Sequence, residues 1–151
     1  MTGSTHIERR HAIVVDAPAD RVFPLLTPLG ERRWVAGWEP EFLHPPSGDT
    51  QDGMVFRTGH GGETTLWSCV RWEPEHHRVR YARVTPGSRF GFVDVACDAA
   101  GPGRTRATIA YAYTALSDAG AATLAALTDD AFRAMIDGWK PLLEACLRTP
   151  A

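Results

Sequence analysis

Hydrophobic and polar positions change period twice along the chain. Residues 6–15, HIERRHAIVV, alternate and put His11, Ile13 and Val15 on one face, which predicts a first strand. In DAPADRVFPLL, Pro18 suits a first helical position and Asp20 complements a helix N-terminus. Pro24 lies too deep for that role and predicts a break after about two turns. TPLGERRW repeats the device, with Thr27 as cap and Pro28 at the first position. From about residue 41 the period becomes two. GMVFRTG, TTLWSCVRW, HRVRYARV, SRFGFVDVAC and TRATIAYAYTAL are rich in aromatic and β-branched residues. HGGE, EPEHH, TPGS and DAAGPG bound them as turns, and connections this short join only antiparallel neighbours. EFLHP offers a further short strand. From Asp118 to Leu147 the period becomes helical, with Leu124, Leu127, Ala131, Met135, Trp139, Leu142 and Cys146 forming a stripe that Phe132, Ile136 and Leu143 widen. Thr128, followed by two acids, is placed to cap a second helical segment, and Pro141 predicts a kink in the final turns.

The order is strand, two short helices, a meander and a long C-terminal helix. A curved sheet with one apolar face must be covered, and the terminal helix is the element long enough to cover it. The expected fold class is α+β: an antiparallel sheet of about six to seven strands wrapped on that helix. At 151 residues the chain is expected to form a single domain spanning 1–151.

Composition narrows the function classes. The chain is 44% hydrophobic and 23% charged, with a net charge of −2, so nothing favours nucleic acid or an anionic membrane as partner. The opening MTGSTHIERR has no apolar core, so a secretory leader is not expected, and no apolar run approaches the ~20 residues of a membrane span. Cys69, Cys97 and Cys146 are widely spaced and odd in number, as expected of buried thiols in a reduced, cytoplasmic setting. His60 with Glu63, and the adjacent His76 and His77, are the metal candidates. Neighbours on a strand point opposite ways and HGGE is needed for turning, so no metal is expected. GGE and GPGR do not sit between a strand and a helix, so they are not phosphate loops. No nucleophile with a base and an orienting group is visible, and no cofactor is expected.

One alternation raises a question of its own. In HHRVRYARVTP, Arg83 shares a face with Val79 and Tyr81. Either the strand ends before Arg83, or its buried face opens onto something that takes a cation.

VVDAPADRVFPLL, WEPEHHRVRY, GRTRATIAYAYTAL and the terminal helix with Trp139, in this order and spacing, resemble the START-like superfamily, also called SRPBCC, helix-grip or pollen-allergen-like. GMVFRT and RYARVTPGSRFG resemble a bacterial branch related to polyketide cyclase/dehydrase-type proteins. The resemblance covers nearly the whole chain. It implies a cavity between sheet and helix for an apolar or amphipathic molecule such as a lipid, sterol or polyketide. Members include carriers, hormone receptors, cyclases, aromatases and chaperone-activator homologues, and no single catalytic motif unites them.

With such a cavity, Arg83 would meet a carboxylate, an enolate or water there; otherwise it reaches solvent or a structural acid. Tyr111 and Tyr113 alternate with alanines, as room on a cavity wall would require, or pack on the helix with hydroxyls at the rim. Trp34 and Trp38 gate the mouth or plug the core end. Trp72, in phase with Leu66, Ser68 and Val70, is core or cavity lining, whereas Trp67 falls on the opposite face with no assigned use. Phe56 joins the wall, and Phe132, Met135 and Trp139 are core or ligand contacts on the helix. His44 lies near the mouth, and Asp94 faces water. The first functional expectation is a non-catalytic binder or carrier of a small hydrophobic or amphipathic molecule. The second is a cyclase- or aromatase-like enzyme using Arg83 with Tyr81, Tyr111 or Tyr113. A third is an interaction module presenting Arg71, Arg78 and Arg80.

Overall fold

The computed structural model describes residues 5–149; the first residues of MTGSTHIERR lie outside this range. Seven antiparallel strands form one open sheet in the order β1-β7-β6-β5-β4-β3-β2. They are β1 (His6–Val15), β2 (Glu41–His44), β3 (Val55–His60), β4 (Glu63–Glu73), β5 (Arg78–Thr85), β6 (Arg89–Ala99) and β7 (Thr105–Ala115). EFLHP does supply a strand: Glu41 and Phe42 pair with Arg57 and Phe56. The meander closes on the first strand, His11 opposite Ile109.

Between β1 and β2 run α1 (Ala19–Val22), a 3-10 turn (Phe23–Leu26) and α2 (Pro28–Glu31). Pro18 caps α1 from just outside it, and Pro24 converts the chain to the tighter turn after a single α turn, sooner than expected. At α2 the Thr27 hydroxyl accepts from the Gly30 N–H at 3.1 Å with Pro28 at the first position, as the sequence predicts.

The C-terminal stretch divides into α3 (Asp118–Ala126), α4 (Asp129–Asp137) and α5 (Trp139–Arg148). Thr128 caps α4 by accepting from Ala131 N–H at 3.1 Å. The second break falls at Gly138, ahead of Pro141, whose missing N–H sits in the first turn of α5 where no intrahelical donor is needed. The buried stripe runs Phe132, Ile136, Leu143 and Cys146. Ala131, Met135 and Leu142 face outward, one position off the expected centre, because the sheet receives the Phe132–Ile136 edge of the stripe.

Buried side chains from the concave sheet face and these helices make one continuous core. All three cysteines are buried and unbridged, and burial pushes the thiols of Cys69 and Cys97 up to about 11 and about 12. Neither is a thiolate at neutral pH. Among the described residues no helix is long and apolar enough to cross a membrane.

Candidate functional site: a cavity between sheet and helices

Arg83 does not fray into solvent. β5 continues to Thr85, and Val79, Tyr81, Arg83 and Thr85 all point to the concave face. The register builds a row of four across the sheet there: Trp67 opposite Arg83, Arg83 opposite Gly91, and Gly91 opposite Tyr113. Gly91 is required. A Cβ at that position would lie 2.2 Å from Tyr113 Cδ1, so its absence lets the tyrosine ring lean across and bring its hydroxyl to Arg83. The guanidinium then lies between two rings, 4.7 Å from the centroid of Trp67 and 5.2 Å from that of Tyr113. It donates to the Tyr113 hydroxyl at 3.2 Å and to Thr65 and Thr85 Oγ1 at 3.4 and 3.3 Å. No carboxylate among the described residues comes within 4.0 Å of it; Glu63 is held by Arg89 at 3.2 Å.

Trp67 and Arg83 of this row line a cavity of about 210 Å³. Phe56, Trp67, Tyr81, Val93, Val95 and Tyr111 continue the sheet side; Glu31, Val35, Trp38 and Trp139 close it from the helical side. Tyr81 donates to Leu26 O at 3.5 Å, a long bond. Tyr111 stacks on Tyr113 at 5.0 Å and meets Phe132 edge-on at 4.9 Å, but its hydroxyl has no hydrogen-bond partner among the described residues. Burial raises all three phenols, so each is a proton donor near neutral pH.

Glu31 enters from α2. Its position follows from a close approach. A Cβ on the preceding Gly30 would meet Pro24 O at 1.9 Å, so α2 sits directly on the turn before it. Trp34 Nε1 donates to Leu25 O at 2.7 Å and Trp38 Nε1 to Pro28 O at 2.8 Å, which pins the segment from the other side. Among the described residues the Glu31 carboxyl has no ion-pair partner, and burial pushes it up to about 8. Glu31 and Tyr111 are deep in the molecule yet retain bare surface, and what they face is the cavity.

Of the residues singled out in the sequence, Trp38, Phe56, Tyr81, Arg83, Tyr111 and Trp139 line this cavity. Trp34 lies behind it, buried and edge-on to Trp139 at 5.5 Å. Tyr113 and Phe132 form a second layer, behind Arg83 and Tyr111 respectively. Met135 is on the outer surface. Trp72 stacks on Phe23 at 5.5 Å, away from the cavity, and Trp67 takes the lining position instead. The reason is a β-bulge: the register slips between Cys69 and Arg71, so Trp67 and Trp72 point inward while Leu66 and Val70 are exposed. Glu31, Val93 and Val95 are wall residues that sequence reasoning did not single out. The two valines alternate visibly in GFVDVAC; Glu31 leaves no comparable trace.

Elsewhere, His77 meets Asp20 at 2.9 Å and His44 lies exposed on edge strand β2. Among the described residues no group of His, Cys, Asp and Glu is placed to hold a metal ion. Arg78 and Arg80 pair with Asp98 and Asp94 at 2.9 and 3.8 Å, so Asp94 meets an arginine as well as water.

Norcoclaurine synthase from Thalictrum flavum is similar in structure, with a TM-score of 0.70 and 12% identity over 97% of this chain and 89% of that one. The same enzyme in complex with dopamine and hydroxybenzaldehyde gives 0.69 and 13% over 98% and 90%. A hypothetical protein from Helicobacter pylori gives 0.70 and 12% over 94% and 86%. At such identities the likeness is one of fold, the helix-grip α+β architecture. No curated protein matches the sequence. Residues 6–144 match the family model described as polyketide cyclase / dehydrase and lipid transport, and the chain belongs to that family, within the START-like superfamily.

Proposed function

We propose that the protein binds a small hydrophobic or amphipathic molecule in this cavity, as a non-catalytic carrier or receptor working in the cytoplasm as a single domain. The observation that carries the reading is an aromatic-walled space of about 210 Å³ left open inside an otherwise packed core. Its size constrains the occupant. Ligand pockets usually run to about 300–1,000 Å³, and an apolar cavity of about 150 Å³ takes up benzene. That volume suits a molecule of one substituted ring better than a whole sterol. The family description includes lipid transport, and dopamine and hydroxybenzaldehyde, held by the structurally similar synthase, are single-ring molecules.

Native mass spectrometry of protein purified from its own host tests this. A copurified small molecule, released unchanged, is expected. It should be lost from Val95→Phe, which fills part of the space from β6. Retention of the molecule by a folded Val95→Phe protein places it elsewhere and sinks the proposal.

A second reading has its own support. Glu31, Tyr81 and Tyr111 are proton donors lining the same space as Arg83, a combination suited to moving a proton on a bound carbonyl compound while a cation holds the oxyanion. Chemical change of the copurified or added ligand, abolished in Glu31→Gln, selects this reading over the carrier. The interaction-module reading gains nothing comparable, since Arg78 and Arg80 are already paired with acids.

A further inference from the structure

Two of the groups lining the cavity, Arg83 and Glu31, make different electrostatic demands, and together they describe its occupant more closely; this inference rests on the binding reading above. Among the described residues the direct contacts of the Arg83 guanidinium are neutral: two ring faces, a phenol and two threonine hydroxyls, while Glu63, which feels its charge at longer range, is held by Arg89. Those bonds use three of its five N–H donors and none of its charge. A guanidinium partly withdrawn from water with no carboxylate in direct contact is costly, and an oxyanion lowers the cost. Glu31 makes the opposite demand. Its carboxyl is kept protonated by burial, so at neutral pH it presents a donor, and it needs an acceptor.

The charged and titratable groups facing Glu31 across the cavity are Tyr81 on β5, Tyr111 on β7 and Arg83 on β5. On its own segment Arg32 turns away onto the Phe42 ring at 4.9 Å, and Arg33 is exposed. β6 contributes only Val93 and Val95, and α5 only Trp139. Arg83 is the cation of this set, and it neither pairs with Glu31 nor offsets the burial that raises its carboxyl. The rest of the lining is mainly aromatic and aliphatic, with Phe56 stacked on Trp67 at 5.4 Å, a surface suited to a ring.

We infer that the cavity selects a compact ring acid: a carboxylate on Arg83, a single ring against the aromatic wall, and an oxygen acceptor toward the carboxyl group of Glu31. A neutral molecule leaves Arg83 uncompensated, and an ammonium is repelled by Arg83 and gains nothing from a protonated Glu31.

The test is a titration of the stripped, full-length protein with four probes, read by calorimetry and by the fluorescence of Trp38, Trp67 and Trp139, which line the cavity. The probes are 4-acetylbenzoate, its neutral isostere 4-acetylbenzamide, benzoate without the acceptor, and the cation 4-acetylbenzylamine. The acid is expected to bind about ten-fold tighter than the amide and several-fold tighter than benzoate, with the amine weakest. Arg83→Gln should erase the acid-over-amide preference while keeping amide binding. Raising the pH from 6 to 9 should weaken acid binding in the wild type as Glu31 ionises, and leave Glu31→Gln unchanged. The acid-against-amide comparison needs no variant, so a poorly folding Arg83→Gln does not rescue the idea. Equal affinity for acid and amide, or tightest binding of the amine, overturns the inference and leaves the binding reading standing. If no probe binds while native mass spectrometry finds a neutral copurified molecule, only the ring-acid inference falls. If neither finds a ligand, both fall.

Discussion

Arg83 and Glu31 reach one cavity by unlike means. Arg83 is set by strand geometry: once Val79 and Tyr81 face inward, the period of two carries Arg83 inward too, and pairing on both sides through Trp67 and Gly91 fixes it. Glu31 stands on α2, a helix of four residues that has no periodicity from which to read a direction. Its aim comes from how α2 is held: a glycine against a carbonyl, and two indole N–H bonds, one to Leu25 O in the turn before α2 and one to Pro28 O at its start. A side chain on a sheet inherits its position from its neighbours in sequence, whereas one on a short helix inherits it from packing. The two should therefore fail differently when disturbed.

The largest effect is expected at the packed side. Gly30→Ala drives a Cβ to 1.9 Å from Pro24 O and 2.6 Å from Leu25 Cα, both backbone, so α2 must lift off its seat. We expect a loss of about 3 kcal/mol or more in urea denaturation, with altered near-UV dichroism as Trp34 and Trp38 lose their carbonyl partners. Gly91→Ala is the matching insult on the sheet. Its Cβ meets the Tyr113 ring, which can swing, so the expected loss is smaller, about 1–3 kcal/mol, and the strands should keep their register. Equal losses would mean that the ring is held as rigidly as the backbone, and the contrast between the two walls would disappear.

The same contrast explains what could be read in advance. The strands and the capped starts of α2 and α4 at Thr27 and Thr128 follow from local chemistry and are visible in the residues alone, whereas the alternation raises the inward aim of Arg83 only as one of two alternatives, which the continuation of β5 to Thr85 decides. Trp67 was obscured by the bulge after Cys69, because TTLWSCVRW carries apolar residues on both faces and no pattern marks where the phase flips. Met135 was misplaced by one step around a helix whose stripe is wide enough to be centred in two ways. Glu31 could not be found at all: an acid after a glycine in a capped turn is ordinarily solvated, and the proximity of β5 and β7 is a tertiary fact. The polar half of the cavity was thus half legible, and the missing half was the one built by packing.

Acidity sharpens the comparison at intermediate scale. Glu31 holds its proton up to about 8 when folded, well above the ordinary carboxyl value of 4.5, so between those values the folded protein binds more protons than the unfolded chain. Stability should then fall as pH rises from 4.5 to 8, with the full penalty present above 8 and none below 4.5. Because water reaches the cavity wall, we expect the slope to total about 1–3 kcal/mol in urea titrations at pH 5 and 8.5. Glu31→Gln should remove that share of the pH dependence. An unchanged slope in the variant would show that the carboxyl is solvated and ionised, and that α2 does not hold it where its packing implies.

The smallest effect separates two tyrosines on one strand. Tyr113 is buried and its hydroxyl accepts from Arg83 at 3.2 Å, whereas the Tyr111 hydroxyl has no hydrogen-bond partner among the described residues. Removing an accepting oxygen from a guanidinium should cost about 1 kcal/mol, and removing an unpartnered one should cost nothing or stabilise slightly. Tyr113→Phe is therefore expected to lower the urea midpoint a little and Tyr111→Phe to leave it unchanged, with the order reversed for affinity toward a cavity ligand that accepts from Tyr111. The reversal matters more than either size. A packing role predicts parallel effects on stability and binding at both positions, and only a wall whose free hydroxyl faces a ligand predicts that they cross.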